Sequence, residues 1–113
     1  MGNYLAKMKE YLSMDSELPY DEFDQYFQDY IAYLGLNYEG FDQESTVKAR
    51  FIVSILNVNS VERARSKGPH AKKFKKMGEK SKVWVDALNY RLLKQGMTQD
   101  QIDAANQAVS EAM

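Results

Sequence analysis

The side chains in this sequence that are best suited to bind a charged ligand lie between residues 63 and 82. Nine lysines and arginines occupy this segment, and Glu79 is the only acidic residue among them. Clustered cations bind nucleic acids because each phosphate that they neutralise releases condensed counterions. The predicted nucleic-acid-binding residues are Arg63, Arg65, Lys67, Lys72, Lys73, Lys75, Lys76, Lys80 and Lys82. Arginine reads base edges whereas lysine is a point charge, so seven lysines against two arginines predict backbone contact with little sequence preference.

A second set of charged residues precedes this segment and has the opposite sign. Ten acidic residues and no basic ones stand between Glu10 and Val47, whereas thirteen basic and three acidic residues stand between Lys48 and Lys94. Carboxylates that are spaced along a helix between tyrosines can imitate a nucleic-acid backbone, and tyrosine is also favoured at protein interfaces. The predicted protein-binding residues are Tyr20, Asp21, Glu22, Asp24, Asp29 and Tyr38.

Both charged surfaces also have simpler interpretations. Each is compatible with the solvated outer face of an amphipathic helix that binds nothing. The two blocks could instead face each other, either within the fold or between two copies of the chain. A homodimer that places an acidic face on a basic face is therefore a third possibility.

The sequence lacks the patterns on which most enzymes and metal sites depend. It contains no cysteine, and His70 is its only histidine. Disulfides, thiolate nucleophiles and zinc sites built from cysteine are therefore excluded. The six glycines are scattered rather than grouped in a phosphate-binding loop, and the serines and threonines lie in no nucleophile motif. We predict a protein that is not an enzyme, with no metal, no cofactor and no small-molecule substrate.

Helical periodicity places the charges on the outer sides of two amphipathic helices. In residues 19–34, an apolar and aromatic arc of about 140° contains Phe23, Tyr26, Phe27, Tyr30, Ile31 and Leu34. The opposite arc, here called the acidic face, contains Asp21, Glu22, Asp24 and Asp29. In residues 69–95, an apolar arc of about 140° faces a set of six lysines. This set, here called the lysine face, contains Lys72, Lys73, Lys75, Lys76, Lys80 and Lys82.

The second half of the lysine-bearing helix has apolar residues on its back as well. Val83, Tyr90 and Leu93 lie there, which predicts that this half is covered on both sides or meets a partner. Between the two amphipathic helices, residues 46–57 are apolar nearly all round, as is typical of a buried central helix. The β-branched run 51–56 leaves a short strand open as an alternative.

Local signals predict where the helices begin and end. Gly35 and Gly96 are suited to helix C-termini, and the stretch 57–60 (NVNS) predicts a break after the central helix. Thr98 and Gln101 form a capping-box pattern ahead of a last helix at 98–112. The predicted fold is all-α, a compact bundle of four to six helices around the central helix.

The chain length and hydropathy predict a single domain away from membranes. A chain of 113 residues corresponds to one domain, residues 1–113, with an acidic half at about 10–47 and a basic half at about 48–94. No apolar run approaches the roughly 20 residues that span a bilayer, and the first residues do not resemble a signal peptide. We therefore expect no membrane partner and a cytoplasmic location.

Three functions follow from these patterns. The leading hypothesis is a small regulatory binding protein in nucleic-acid metabolism, whose basic segment contacts phosphates. The second is a protein inhibitor whose acidic face blocks a nucleic-acid-binding protein, as a DNA mimic of phage or mobile-element origin would, for example an anti-CRISPR protein. The third is a homo-oligomer whose assembly depends on the opposite charges of its two halves.

Overall fold

The structure, a computed structural model, describes residues 1–66 and 68–112. These residues form five α-helices and a short 3-10 turn at Tyr38–Gly40. The helices are α1 (Gly2–Leu12), α2 (Tyr20–Asn37), α3 (Gln43–Ala64), α4 (Ala71–Lys94) and α5 (Gln99–Glu111). Because the described residues contain no strand, the prediction of an all-α bundle is confirmed, and the strand alternative for residues 51–56 is wrong.

Helix α3 is the central element of the bundle. Its start is fixed by Asp42, whose Oδ1 accepts a hydrogen bond from the Ser45 N–H at 2.8 Å. This hydrogen bond lowers the pKa of the Asp42 carboxyl. Buried apolar side chains then follow on several sides of the helix, among them Phe51, Ile52 and Leu56. Helix α4 packs along α3, and α2 contributes its aromatic arc to the same core.

The predicted break at residues 57–60 is wrong, because α3 continues through this stretch to Ala64. The Asn57 Nδ2 donates to the backbone oxygen of Gly78 at 2.9 Å and to the Ser81 hydroxyl at 3.2 Å. Ser60 is fully buried, and a Cβ at Gly78 would lie 3.3 Å from the Val61 Cγ2. Asn57, Ser60 and Gly78 therefore allow α3 and α4 to pack closely, and α3 continues through this stretch.

The two glycines predicted to end helices behave differently. Helix α2 runs past Gly35 to Asn37, so that predicted end is wrong. Helix α4 ends at Lys94, and Gly96 has a positive φ of 99°. The Met97 N–H donates to the Leu92 oxygen at 3.1 Å, a bond that is typical of a glycine-terminated helix. The capping box of Thr98 and Gln101 is also present at the start of α5.

An aromatic cluster joins α1 to α2. The Tyr4 ring contacts the rings of Tyr26, Tyr30 and Tyr33, with centroid distances from 4.9 to 6.1 Å. The Tyr26 hydroxyl donates to the Tyr4 backbone oxygen at 2.9 Å. Burial raises the pKa of the Tyr26 and Tyr30 phenols well above the ordinary value. The expected core positions of these two tyrosines are confirmed, since both are buried.

Candidate nucleic-acid interface

The lysine face lies on the solvent side of α4, and all six of its side chains are exposed. Alanine and lysine favour helix formation, while Phe74, Met77 and Leu88 bury the opposite side of α4. Lys82 forms an ion pair with Asp86 at 2.7 Å. Within the part of the chain that the structure describes, no carboxylate oxygen lies within 4.0 Å of the other five ammonium groups. These five lysines, 72, 73, 75, 76 and 80, are here called the unpaired lysines.

A shallow groove of about 340 Å³ runs between α2 and α4. Three unpaired lysines lie along it, Lys73, Lys76 and Lys80, and its remaining residues include Phe27 and Met77. The groove also contains the carboxylate of Asp24, which accepts a hydrogen bond from the Gln28 amide at 3.2 Å. The groove therefore has a net positive charge and a partly apolar lining.

Arg63 is engaged inside the fold, and its side chain is only 13% exposed. Its Nε lies 2.8 Å from Glu17 Oε1, and its Nη2 donates to the Leu18 oxygen at 2.8 Å. Its guanidinium carbon lies 4.9 Å from the ring centre of Phe23 and 4.5 Å from that of Phe74. Because these contacts occupy the guanidinium, we remove Arg63 from the predicted nucleic-acid-binding set.

The remaining members of that set have different surroundings. Arg65 is exposed just after the end of α3, and Lys67 lies outside the described residues. His70 is half-buried and stacks on the Tyr20 ring with a centroid distance of 3.7 Å. The Lys73 Nζ lies 5.5 Å from the centre of the same Tyr20 ring. The start of α4 therefore combines lysines with a half-buried aromatic pair.

The structure distributes the predicted protein-binding residues over several environments. Asp24 lies with the lysines of α4, whereas Glu22 and Asp29 line a separate groove between α1 and α2 that also contains Lys7. Asp21 is exposed near the start of α2. Among the described residues, no ion pair within 4.0 Å joins the acidic face to the lysine face.

The two tyrosines of that set are held in aromatic contacts. Tyr20 is half-buried against His70, and Tyr38 is half-buried with its ring centre 5.2 Å from that of Trp84. The structure therefore does not gather the six predicted protein-binding residues into one continuous face.

Two apolar surface features lie outside the charged faces. An apolar groove of about 620 Å³ lies where α1, α3 and α5 meet, with Leu5, Val47 and Val109 among its lining residues. Ala105, Ala108 and Ala112 line this groove and recur at helical spacing in the sequence. Such spacing shows that they share one side of a helix, but it does not show that this side borders a groove. Val83 and Tyr90, for which the sequence predicted a cover or a partner, are 67% and 60% exposed.

Neither a metal site nor a membrane span is found in the ranges 1–66 and 68–112. No cluster of three or more histidine or carboxylate side chains in these ranges is arranged to hold a metal ion. No helix described there has the length and apolar character needed to cross a bilayer.

The fold and the lysine face together define an all-α protein with a strongly cationic outer helix. Comparisons with models of protein families, with curated proteins and with solved structures found no match to this chain.

Proposed function

We propose that this chain is a small non-enzymatic regulatory protein that binds the phosphate backbone of nucleic acids through α4. The observation that carries this proposal is the set of five exposed unpaired lysines on one helix. An exposed cation without a carboxylate partner is free to exchange its counterion for a phosphate, which is the source of non-specific nucleic-acid affinity. A cytoplasmic location suits this function.

The geometry of α4 supports contact with several phosphates at once. From Lys72 to Lys80 the helix rises by about 12 Å, so the unpaired lysines extend over several successive phosphates. The ends of α4 are stabilised by packing and by the glycine-terminated turn at Gly96. A rigid helix loses little conformational freedom when it binds, and this favours affinity.

The number of unpaired lysines sets the expected salt dependence. On duplex DNA, four to five phosphate contacts correspond to a slope of roughly −3.6 to −4.5 when the logarithm of the binding constant is plotted against the logarithm of the salt concentration. Between ~50 and ~200 mM salt, the affinity should then fall by roughly 10²- to 10³-fold. A titration of labelled duplex DNA and single-stranded RNA at these two salt concentrations measures the slope.

The decisive variants reverse or remove the charge of α4. Replacement of Lys72, Lys73, Lys75 and Lys76 by glutamate should weaken binding by more than about 100-fold. The same four positions replaced by glutamine avoid a new acidic surface and should also weaken binding, by a smaller factor. The matched control, Asp21→Asn with Glu22→Gln and Asp29→Asn, changes exposed carboxylates of α2 and should retain the affinity. Circular dichroism checks that each variant is folded.

Two results would contradict the proposal. One is the absence of binding at ~50 mM salt, where phosphate contacts are strong. The other is binding that survives both lysine variants unchanged.

The exposed carboxylates of α2 support a second candidate. Asp21, Glu22 and Asp29 have no ion-pair partner within 4.0 Å among the described residues, so they are free to meet a basic surface. The chain would then inhibit a nucleic-acid-binding protein, as a phage or mobile-element anti-defence protein does. This function predicts the opposite mutational result, in which the α2 variant loses inhibition and the lysine variants keep it.

The molecular mass in solution tests the third hypothesis, a homo-oligomer held together by opposite charges. It predicts a particle well above 13.1 kDa at low salt that dissociates as salt rises. A monomer across that salt range would exclude it.

A further inference from the structure

Tyr90 differs from every other tyrosine of the chain. The seven others, Tyr4, Tyr11, Tyr20, Tyr26, Tyr30, Tyr33 and Tyr38, each contact another aromatic ring. Tyr90 makes no such contact among the described residues and is 60% exposed. An exposed aromatic ring that the core does not use is available to a ligand.

Tyr90 is aligned with lysines along one line of α4. At 100° per residue, five residues fall within an arc of about 40° on the solvent side of the helix. This outer stripe consists of Lys72, Lys76, Val83, Tyr90 and Lys94. It extends over about 33 Å of helix, and the Lys94 Nζ lies 5.4 Å from the Tyr90 ring centre. One cation therefore lies beside the exposed ring, and the other two lysines of the stripe, Lys76 and Lys72, lie about 21 and 27 Å further along the helix.

Two acidic residues stand near the outer stripe. Asp86 is paired with Lys82 at 2.7 Å, so its charge is already compensated. Glu79 is exposed, lies four positions before Val83 at the middle of the stripe, and has no ion-pair partner within 4.0 Å among the described residues. The stripe nonetheless keeps three lysines and one exposed aromatic ring.

We propose that the nucleic acid bound by α4 is single-stranded, and that Tyr90 stacks on one of its bases. This inference rests on the proposed function. A duplex keeps its bases stacked on each other and presents mainly phosphates to a helix surface, which gives an exposed tyrosine nothing to stack on. A single strand offers both phosphates and free base faces, and proteins that bind it combine cations with aromatic platforms.

A second copy of the chain fits the outer stripe less well. A specific, stable protein–protein interface usually buries about 1,200–2,000 Å² in total, and an obligate homodimer interface more, whereas the apolar part of this stripe consists of Val83 and Tyr90. A two-fold axis through the stripe would also bring the lysines of both copies onto one interface, where they repel each other.

The test measures how strongly variants at Tyr90 bind a single-stranded probe and a duplex probe. The probes are a fluorescein-labelled oligo(U) of ~20 nucleotides and a mixed-sequence DNA duplex of ~20 base pairs, both at ~50 mM salt. Tyr90→Ala should weaken binding to oligo(U) by roughly 5- to 150-fold, the range of one lost base stack. Binding to the duplex should stay within about twofold, since no phosphate contact is removed.

Two further variants serve as controls. Tyr90→Phe keeps the aromatic ring and should retain the affinity for oligo(U). Leu36→Ala removes an 86% exposed side chain from α2 and should have no effect on either probe. The salt slope on oligo(U) should be the same for Tyr90→Ala and the unchanged protein, because both carry the same cations.

The outcomes separate this inference from the proposed function. If Tyr90→Ala binds oligo(U) normally while the lysine variants lose it, stacking on Tyr90 is refuted and the phosphate-binding function stands. If no binding depends on the lysines, the proposed function itself fails. If the unchanged protein is a dimer that Tyr90→Ala dissociates, the stripe is a subunit interface and the inference is overturned.

Discussion

Helices α2 and α4 share one design and differ in what surrounds their outer charges. Each buries an apolar or aromatic stripe in the common core and carries charges of a single dominant sign on the other side. Three carboxylates of α2 are divided between two grooves, the fourth, Asp21, is exposed outside both, and the tyrosines of the predicted set are held in aromatic contacts. The five unpaired lysines of α4 are all exposed, and three of them line one groove. The surroundings of a charge pattern, and not the pattern alone, therefore decide what it can bind.

Arg63 lies between helices α2 and α4. It projects from α3 and lies against Phe23 of α2 and Phe74 of α4. Cation–aromatic contacts of this kind stabilise a fold by about 0.5–2 kcal/mol. Arg63, the first residue of the basic segment, therefore stabilises the fold and does not extend the surface of exposed lysines on α4.

The largest expected effect concerns the buried side of α2, which should make the protein unstable in alkali. Burial raises the pKa of the Tyr26 and Tyr30 phenols, whereas in the unfolded chain they ionise near pH 10. Above about pH 10 the unfolded state therefore binds fewer protons than the folded state. The free energy of unfolding should fall as pH rises, by up to about 1.4 kcal/mol per pH unit for each group. Below about pH 9 these two groups contribute no pH dependence.

Urea unfolding at about pH 8, 10 and 11 measures this slope. In the double variant Tyr26→Phe with Tyr30→Phe, the two ionisable groups are absent and the alkaline slope should become shallower. An equal slope in the double variant would show that other groups cause the loss.

The second effect tests whether Arg63 belongs to the fold. Arg63→Ala removes a hydrogen bond to a backbone oxygen and two ring contacts, so the free energy of unfolding should fall by about 2 kcal/mol. Arg65→Ala, the matched control two residues later, should change it by less than about 0.5 kcal/mol. Chemical denaturation of both variants gives the comparison. Equal effects would mean that the contacts of Arg63 add nothing to stability.

The third effect compares the glycines near the ends of α2 and α4. Gly96 has a positive φ, so Gly96→Ala should lower stability by about 1–2 kcal/mol. Gly35 lies inside α2, where an added methyl group would meet no neighbouring atom within 4 Å, so Gly35→Ala should raise stability by about 0.5–1 kcal/mol. Thermal unfolding followed by circular dichroism measures both. Two changes of the same sign would contradict the assigned helix ends.

The smallest expected effect concerns the carboxylate that α2 places among the lysines of α4. Asp24→Asn removes a negative charge from the groove with Lys73, Lys76 and Lys80. Nucleic-acid affinity should then rise by about two- to threefold, as expected for one partly exposed charge. Asp29→Asn, whose side chain lies in the groove between α1 and α2, should leave the affinity unchanged. Equal responses to the two variants would mean that the α2–α4 groove does not matter for binding.

Local patterns in the sequence predicted most of the helices. The apolar arcs of 19–34 and 69–95 and the capping box at Thr98 depend on residues within a few turns of each other, and the structure contains all three. The exposure of the lysine face follows from the same periodicity.

Long-range contacts account for what the sequence did not reveal. The stretch 57–60 stays helical because Asn57 bonds to residues of α4 that are more than twenty positions away. Arg63 is occupied because Leu18 and Phe23, some forty positions earlier in the chain, reach it. Composition and periodicity contain no information about such long-range contacts. The predictions for Asn57 and Arg63 therefore depend on residue type alone.

The contact between α3 and α4 has a practical consequence for handling the protein. Its polar links join Asn57 to Gly78 and Ser81, and Arg50 to the Asn89 amide, and no ion pair within 4.0 Å joins the two helices among the described residues. Links that do not pair opposite charges respond weakly to ionic strength, whereas phosphate contacts respond strongly. Concentrated salt should therefore strip a nucleic acid from the immobilised protein without loosening its scaffold, so that one column can be loaded and eluted repeatedly.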